Sequence, residues 1–412
     1  MNQEMTEKTL KPSTGKLVLT RKNDMTFSML LDKKGHAVQI SLDGGTSQSE
    51  IGNIYIGRVD NIVKNINAAF VEYAPGVMGY FHLEKNPDPV FTNPGRRKGP
   101  LRRGDQMIVQ ISRDRVGTKE PVLTSDITLT GKYTVLTIAQ KGLHFSGKFK
   151  DPEKKKRLQK AFAECDYTET GFIVRTNAMY AEPEAVLDEM SFYYDMWLML
   201  RDCGLYNNCL SQIYKAPPSY LVGIRDGYDS LMEEILTDDE TIYQEIKDYL
   251  ERYQPDDLEK LKAYQNSQVS LHTMFNLDRQ LKEALQKKVW LRCGGYLVIE
   301  PTEALVSIDV NTGKYISEKK AEDEYLKVNL EAAKEIARQI QLRNLSGIII
   351  VDFINMQSNA YKTMLLNYFK TQLQFDPVKT NIVEMTKLNL VEITRKKIRK
   401  PLYELIDTSM LQ

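Results

Sequence analysis

The sequence predicts a mixed α/β (α+β) protein built from several subdomains. Three patterns predict it. Short, alternating apolar segments separated by Gly- and Asp-containing turns fill residues 16–112, helical spacing dominates 180–290, and the last third reads as strands around one long amphipathic helix. A chain of 412 residues corresponds to two or three domains at about 150 residues each. It can bury a core without disulfide or metal staples. Hydrophobic residues at 42% and charged residues at 27% exclude a disordered chain.

Residues 16–20, 26–31 and 37–41 are predicted strands, joined by Asp-Lys-Lys-Gly and Asp-Gly-Gly turns. Residues 54–59 and 69–73 alternate with period two, and 79–83 follow the Pro75-Gly76 turn. A Pro/Gly/Arg loop at 87–104 leads into a further strand at 106–112. Five short strands with Gly turns over about 75 residues predict a small closed barrel of OB type. Strands return at 133–137 and 171–175, separated by a basic helix around 151–164. The stretch 180–290 is mostly helical, with strand material at 219–222.

The C-terminal third carries the chemistry. Residues 296–300 and 304–310 read as strands, and 348–353 as a buried strand. Between them, Leu326, Leu330, Ala333, Ala337 and Ile340 recur at helical spacing over 322–343. Ser346-Gly347 closes that helix, Gly being suited to the left-handed position that follows one. Strand, covering helix and strand form a βαβ-like unit. Asp309 and Asp352 each sit near the C-terminal end of a strand of this unit. If the strands are parallel neighbours, both carboxylates reach the sheet edge where open α/β sheets place their sites. Asn311, two residues on, shares the face of Asp309. Two carboxylates and an amide are hard oxygen ligands suited to Mg²⁺. A metal so held lowers the pKa of bound water and neutralises charge on a phosphoryl group. Strand-end aspartates also serve as helix caps and loop residues. No histidine occurs between 296 and 354, which argues against a His-pair mechanism through a ribose hydroxyl.

Charge is uneven although the formal net is only +1. Residues 94–119 hold eight basic residues against two acidic, 141–160 again eight against two, and 379–400 seven against two. The segment 226–260 is the counterweight, with thirteen acidic residues and three basic. A uniformly basic nucleic-acid binder is excluded. Three local basic segments fit either a solvated surface or a polyanion-binding face. The longest apolar runs, such as 347–351, are strand-sized and far below the roughly 18 residues of a membrane helix. Residues 1–16 show no apolar signal region, so a cytoplasmic location is expected. Cys165, Cys203, Cys209 and Cys293 contain no C-x-x-C pair and read as buried free thiols.

Several stretches resemble the bacterial ribonuclease E/G family. They are Ser307-Ile-Asp-Val-Asn-Thr-Gly313, Val328-Asn-Leu-Glu-Ala-Ala-Lys-Glu-Ile-Ala-Arg-Gln-Ile340 and Leu342-Arg-Asn-Leu-Ser-Gly-Ile-Ile-Ile-Val-Asp-Phe-Ile354. The likeness extends through 294–304 and 386–395, and to Asn53-Ile-Tyr-Ile-Gly-Arg58, Ala68-Ala-Phe-Val-Glu-Tyr73 and Gly171-Phe-Ile-Val-Arg-Thr176 near the N-terminal side. It covers roughly residues 16–400.

The resemblance implies an RNase H-like region interrupted by the OB-type barrel and followed by a DNase I-like α/β catalytic subdomain. The expected boundaries are 1–50 and 131–290 for the RNase H-like parts, the latter with a 5′-sensor, 51–130 for the barrel, and 291–412 for the catalytic subdomain. It implies Mg²⁺-dependent hydrolysis of single-stranded RNA to 5′-phosphate and 3′-hydroxyl ends, with Mn²⁺ as a substitute metal. It implies a preference for 5′-monophosphorylated substrates, and rRNA precursors and mRNA as targets. By position, Asp309 and Asp352 would hold the metal, with Asn311 orienting Asp309 or the attacking water. Arg175, Thr176, Lys148 and Lys379 would bind the terminal phosphate. Phe70 and Tyr80 would stack bases, with Lys119 and Arg113 as basic anchors; the alternative for Phe70 is barrel core.

Two departures from the family stand out. A C-P-x-C-type zinc link is missing, so no structural zinc is expected, and a homodimer would need another contact. A short, ribonuclease-G-like member is the expected form. Asn355 stands where the family often has Asp, which keeps an oxygen donor and loses a charge. The competing readings are a catalytically inactive RNA-binding or ribosome-assembly protein and a metal-dependent DNA nuclease.

Overall fold

The computed structural model describes residues 14–22, 25–44, 49–93, 95–96, 99–115, 119–167, 169–226, 232–266, 268–313, 321–374, 376, 378–397 and 400–406. Among the charged residues counted above, Arg97, Lys98, Asp229 and Arg399 lie outside them, as does the polar stretch 1–13. The chain divides into two compact units, Met1–Ser47 with Ser230–Lys247 and Glu259–Gln412, and Gln48–Asp229 with Asp248–Leu258.

In chain order the first strands are β1 (Thr14–Lys22), β2 (Met25–Asp32), β3 (Ala37–Gly44), β4 (Ile54–Val63), β5 (Ala68–Ala74), β6 (Val77–His82), β7 (Gln106–Arg113) and β8 (Val122–Thr124). There follow β9 (Thr128–Thr130), β10 (Thr134–Thr137), β11 (Gly142–Phe145), α1 (Pro152–Ala163), β12 (Gly171–Val174), α2 (Pro183–Tyr206), β13 (Gln212–Tyr214) and α3 (Ser219–Asp226). Next come β14 (Glu234–Thr237), α4 (Glu240–Tyr253), β15 (Leu261–Ala263), α5 (Leu271–Met274), α6 (Leu277–Leu285), β16 (Lys288–Trp290), β17 (Tyr296–Pro301) and β18 (Leu305–Asn311). The last are α7 (Ala321–Leu342), β19 (Gly347–Asp352), α8 (Asn359–Leu373), β20 (Thr380–Met385), β21 (Leu390–Arg395) and α9 (Leu402–Leu405).

In the unit of Gln48–Asp229 and Asp248–Leu258, β4, β5, β6, β8 and β7 pair in that order and β7 returns to β4. This closes the five-stranded, OB-like barrel that the turn spacing predicts. Tyr55, Ala69, Val71, Phe81, Met107, Val109 and Leu123 fill it. A second sheet, β11-β12-β10-β9, shares a core with α1 and α2 through Leu136, Leu158, Phe172, Met190 and Trp197. The lysine-rich α1 starts where the Asp151 carboxylate accepts the Lys154 amide at 2.9 Å and Pro152 opens the first turn. Residues 219–222, expected as strand, lie in α3 instead. Tyr220, Leu221 and Ile224 are its buried residues, and that i, i+1, i+4 spacing is helical; an eight-residue element is too short for periodicity to separate the two.

In the other unit, β1, β2 and β3 form an antiparallel meander that β14 and β15 extend in parallel, giving the order β15-β14-β1-β2-β3. A second sheet runs β16-β17-β18-β19-β21-β20. Of its pairings, only β18–β19 is parallel, and α7 crosses between those two strands. Ile308, Val310, Ala332, Ile336, Ile349, Val351 and Phe369 make the core beneath. Each fully buried side chain of this kind contributes about 1.5–3 kcal/mol over leaving it in water. The stripe expected on α7 is displaced in part. Ala333 and Ile340 are buried as expected and are joined by Val328, Ala332 and Ile336, while Leu326, Leu330 and Ala337 are half-buried on its flank, because α8 packs against α7 as well. The helix also closes earlier than Gly347. Asn344 takes the left-handed conformation at φ 51, and the Leu345 amide donates to the Ile340 carbonyl at 3.0 Å, a Schellman-type end.

The cysteines are free but not buried: Cys165 and Cys293 are exposed, and Cys203 and Cys209 half-buried. Cys165 follows α1 in a polar turn and Cys293 precedes a Gly-Gly turn, so neither reaches a core. No helix among the described residues is long and apolar enough to cross a membrane.

Candidate active site

The parallel pairing of β18 and β19 sets Asp309 directly opposite Asp352. Neighbouring residues Ile308, Val310, Val351 and Phe353 are buried, so alternation turns both carboxylates to the exposed face. Asn311 ends β18 and donates its amide N–H to Asp309 Oδ2 at 2.7 Å. That bond fixes the Asp309 rotamer and leaves its second oxygen free of Asn311. Burial, and then the charge of Asp309, raise the Asp352 carboxyl above the usual carboxylate range.

The backbone around the pair is tightly specified. Gly313 has φ +65, and a Cβ there would stand 2.3 Å from the Gly294 carbonyl oxygen. The chain leaving Asn311 therefore passes the 294–295 turn in a way only glycine permits. Beyond Asp352, Asn329 of α7 is fully buried. Its amide donates to the Ile354 carbonyl at 2.8 Å and its oxygen accepts the Ile354 amide at 3.0 Å. This two-bond clamp holds the strand end that carries Asp352. Sequence reasoning missed Asn329 as a site residue. The available signal was a polar residue between apolar positions of a core-facing helix.

A cleft of about 580 Å³ opens at the segment that follows β19, lined by Glu322, Tyr325, Asn355, Gln357, Lys362 and Asn389, among others. Asn389 donates to Asn355 Oδ1 at 3.1 Å and accepts from Lys362 Nζ at 2.7 Å. The departure at Asn355 is thus absorbed into a neutral amide pair carrying one nearby cation.

The barrel places three of the four expected RNA contacts in one lateral row. Phe70 pairs with Tyr80, Tyr80 with Val122, and Val122 with Arg113 across β5, β6, β8 and β7. Phe70 and Tyr80 are half-buried and meet edge to face, with ring centroids 6.3 Å apart. Ala69 and Val71 take the core positions on either side of Phe70, so Phe70 is not barrel core. Arg113 is exposed at the end of the row, and Lys119 is exposed in the segment leading into β8.

Arg175 follows β12. Its Nη2 lies 2.8 Å from Asp226 Oδ1 and its Nη1 donates to the Gly131 carbonyl at 2.5 Å. Asp226 is pulled two ways. Burial would raise its carboxyl, but Arg225 and Arg175 together hold it below the usual range. Thr176 Oγ1 lies 3.3 Å from Ser146 Oγ, which also accepts the Lys148 amide at 3.4 Å. The turn that carries Lys148 thus lies against the Arg175–Thr176 segment through Ser146, whose amide donates to the Val174 carbonyl at 2.9 Å, and Asp226 holds the guanidinium; the sequence singled out neither Ser146 nor Asp226. Lys379 belongs to the other unit, exposed just ahead of β20.

Residues 128–398 match the sequence profile described as the Ribonuclease E/G family. Ribonuclease G of Haemophilus influenzae is 31% identical over 383 residues, covering 90% of this chain and 77% of that protein. Ribonuclease G of Escherichia coli K12 is 29% identical over 371 residues, covering 88% and 76%. Ribonuclease E of a Nostoc species is 32% identical over 366 residues, covering 87% of this chain and 53% of that longer protein. Matched through most of its length, with the Asp309–Asp352 pair inside the matched region, the chain belongs to the ribonuclease E/G family.

Proposed function

We propose that this chain is an endoribonuclease that hydrolyses single-stranded RNA at the Asp309–Asp352 pair. Family membership supports the reaction class, and the opposed carboxylates with the Asn311 amide carry the choice of site. The donor set fits a divalent cation. The two aspartates sit on adjacent strands whose backbones run about 4.8 Å apart; burial first, and then the charge of Asp309, raise the Asp352 carboxyl, and a cation would offset both. Mg²⁺ is the proposed ion, with Mn²⁺ as substitute, held by Asp309 and Asp352. Among the described residues no cluster of three or more His, Cys, Asp or Glu suited to a metal is found, so water and phosphate oxygens would complete the coordination. When bound, such an ion supplies a water of lowered pKa and neutralises phosphoryl charge. Asn311 holds Asp309 in one rotamer, and Asn329 holds the backbone that positions Asp352. End-group analysis of the products tests the reading. Fragments with 5′-phosphate and 3′-hydroxyl ends are expected; 2′,3′-cyclic phosphates, or binding without cutting, would overturn it.

The terminal phosphate of a 5′-monophosphorylated RNA is proposed to bind Arg175, Thr176 and Lys148, displacing Asp226 from the guanidinium fork. Arg175→Ala is expected to lower the ratio of cleavage of 5′-monophosphate over 5′-hydroxyl RNA by about tenfold, the worth of a charge-assisted hydrogen bond. Competition kinetics on paired substrates measures it, and equal slowing of both substrates would make Arg175 structural.

RNA binding itself is proposed to run along the Phe70–Tyr80–Arg113 row and Lys119. Its affinity should fall with salt at a log–log slope of about −0.7 per phosphate neutralised. Arg113→Ala should flatten that slope by roughly one contact in a filter-binding series, and a salt-independent affinity would remove the electrostatic part of the account. rRNA precursors and mRNA are the proposed substrates, and the cytoplasm the proposed location.

A further inference from the structure

The face that carries Asp309 and Asp352 continues across the catalytic sheet to its edge. Trp290 pairs with Tyr296 and Tyr296 with Asn311; in the next row Lys288 pairs with Val298, and Val298 with Asp309. Register partners share a face, as do residues two apart on one strand. Lys288, Trp290, Tyr296, Asn311, Asp309 and Asp352 therefore occupy one face of four adjacent strands. Their alternates Leu297, Ile299, Ile308 and Val310 are buried on the opposite face.

The edge of this row has an unusual surface. Trp290 is 65% exposed on the short edge strand β16. Its ring lies 5.3 Å from that of Tyr296 at an interplanar angle of 61°. Lys288 Nζ stands 4.2 Å from the Trp290 centroid and 3.6 Å from the Tyr296 centroid, a cation fixed against two rings. Exposed π-faces with a fixed positive charge are the combination that binds unpaired nucleic acid without regard to sequence. Two strand spacings, about 9.6 Å, separate Trp290 from Asn311.

We infer that Trp290, Tyr296 and Lys288 form a stacking subsite for unpaired bases of the RNA beside the cut, with Lys288 meeting a backbone phosphate. Continuity with the carboxylate face and the sign of the charge select single-stranded RNA as the occupant, because paired bases hide their π-faces. The inference rests on the endoribonuclease reading for the position of the cut, but its test does not depend on cleavage. The chain has two tryptophans, and Trp197 is 3% exposed. Quenching of tryptophan fluorescence by added RNA therefore reports on Trp290. The 412-residue chain carrying Asp309→Asn is titrated with a single-stranded oligoadenylate, an abasic oligonucleotide of equal length and a double-stranded RNA. Quenching by the oligoadenylate alone is expected. Trp290→Leu should bind the oligoadenylate about 5- to 150-fold more weakly, the range for losing one stacked base, while Trp290→Phe stays near the parent. Binding without quenching in the parent chain, equal quenching by the abasic strand, or unchanged affinity in Trp290→Leu would each overturn the subsite. Because quenching is read in the parent, a misfolded variant does not remove the test. Persistent cleavage by Asp309→Asn would instead count against the active-site assignment.

Discussion

Asp309→Asn and Asp352→Asn are each expected to cut single-stranded RNA at least about 10²–10³-fold more slowly than the parent, the scale on which loss of one charged active-site contact acts. RNA affinity should remain within about twofold, since the base-stacking and phosphate contacts lie elsewhere and exposed substitutions cost little stability, about ±0.5 kcal/mol. The two variants fail for different local reasons. At 309 the change replaces a carboxylate that accepts the Asn311 amide with a carboxamide, which can still pair but carries no charge. At 352 it removes the carboxylate whose proton affinity is already raised by burial and by its neighbour. Single-turnover rates at saturating enzyme, with filter binding alongside, separate chemistry from affinity. Full activity in either variant would take that residue out of the reacting set.

The second large effect is on stability. Arg395 and Asp376 form a buried pair with side chains only 3% and 4% exposed. The guanidinium bonds both carboxylate oxygens, at 2.6 and 3.1 Å, and reaches Asn344 Oδ1 and the Leu345 carbonyl besides. Thr380 donates to the same carboxylate at 2.7 Å. Arg395 sits opposite Gly347 in the β19–β21 ladder, so this network ties the strand bearing Asp352 to its neighbour. Asp376→Ala leaves a buried cation without its counter-charge and should cost about 3–5 kcal/mol, a fall in Tm of roughly 6–20 °C. Glu233→Gln, in the exposed pair with Lys33, should change Tm hardly at all. Calorimetry of both variants makes the comparison; equal shifts would show that burial of the Arg395 pair does not matter.

What was legible in the sequence depended on period and punctuation. The barrel strands alternate cleanly between Gly turns, and Ala69, Val71 and Phe81 are core residues as that alternation implies. The Asp309–Asp352 pair could be found because one crossover helix between two strands leaves few arrangements. The barrel strand Val122–Thr124 has three residues and too little pattern to be located, although a closed barrel is expected. Residues 219–222 carry Tyr, Leu and Val, which suit strand and helix alike, and tertiary packing chose the helix. Side chains that act through long-range register could not be assigned their partners from local pattern. Asp226 meets Arg175 from a helix 51 positions along the chain. Asn329 clamps a strand end 25 positions away, and Trp290 joins the carboxylate face only through two successive strand pairings.

The most direct measurement is cleavage of a short A/U-rich single-stranded RNA with a 5′-monophosphate, by the parent chain and by Asp309→Asn, each with Mg²⁺ and with a chelator. Cutting by the parent in Mg²⁺ alone is the expected result. Cutting that survives the chelator, or that survives loss of Asp309, would contradict a metal-dependent site at the carboxylate pair.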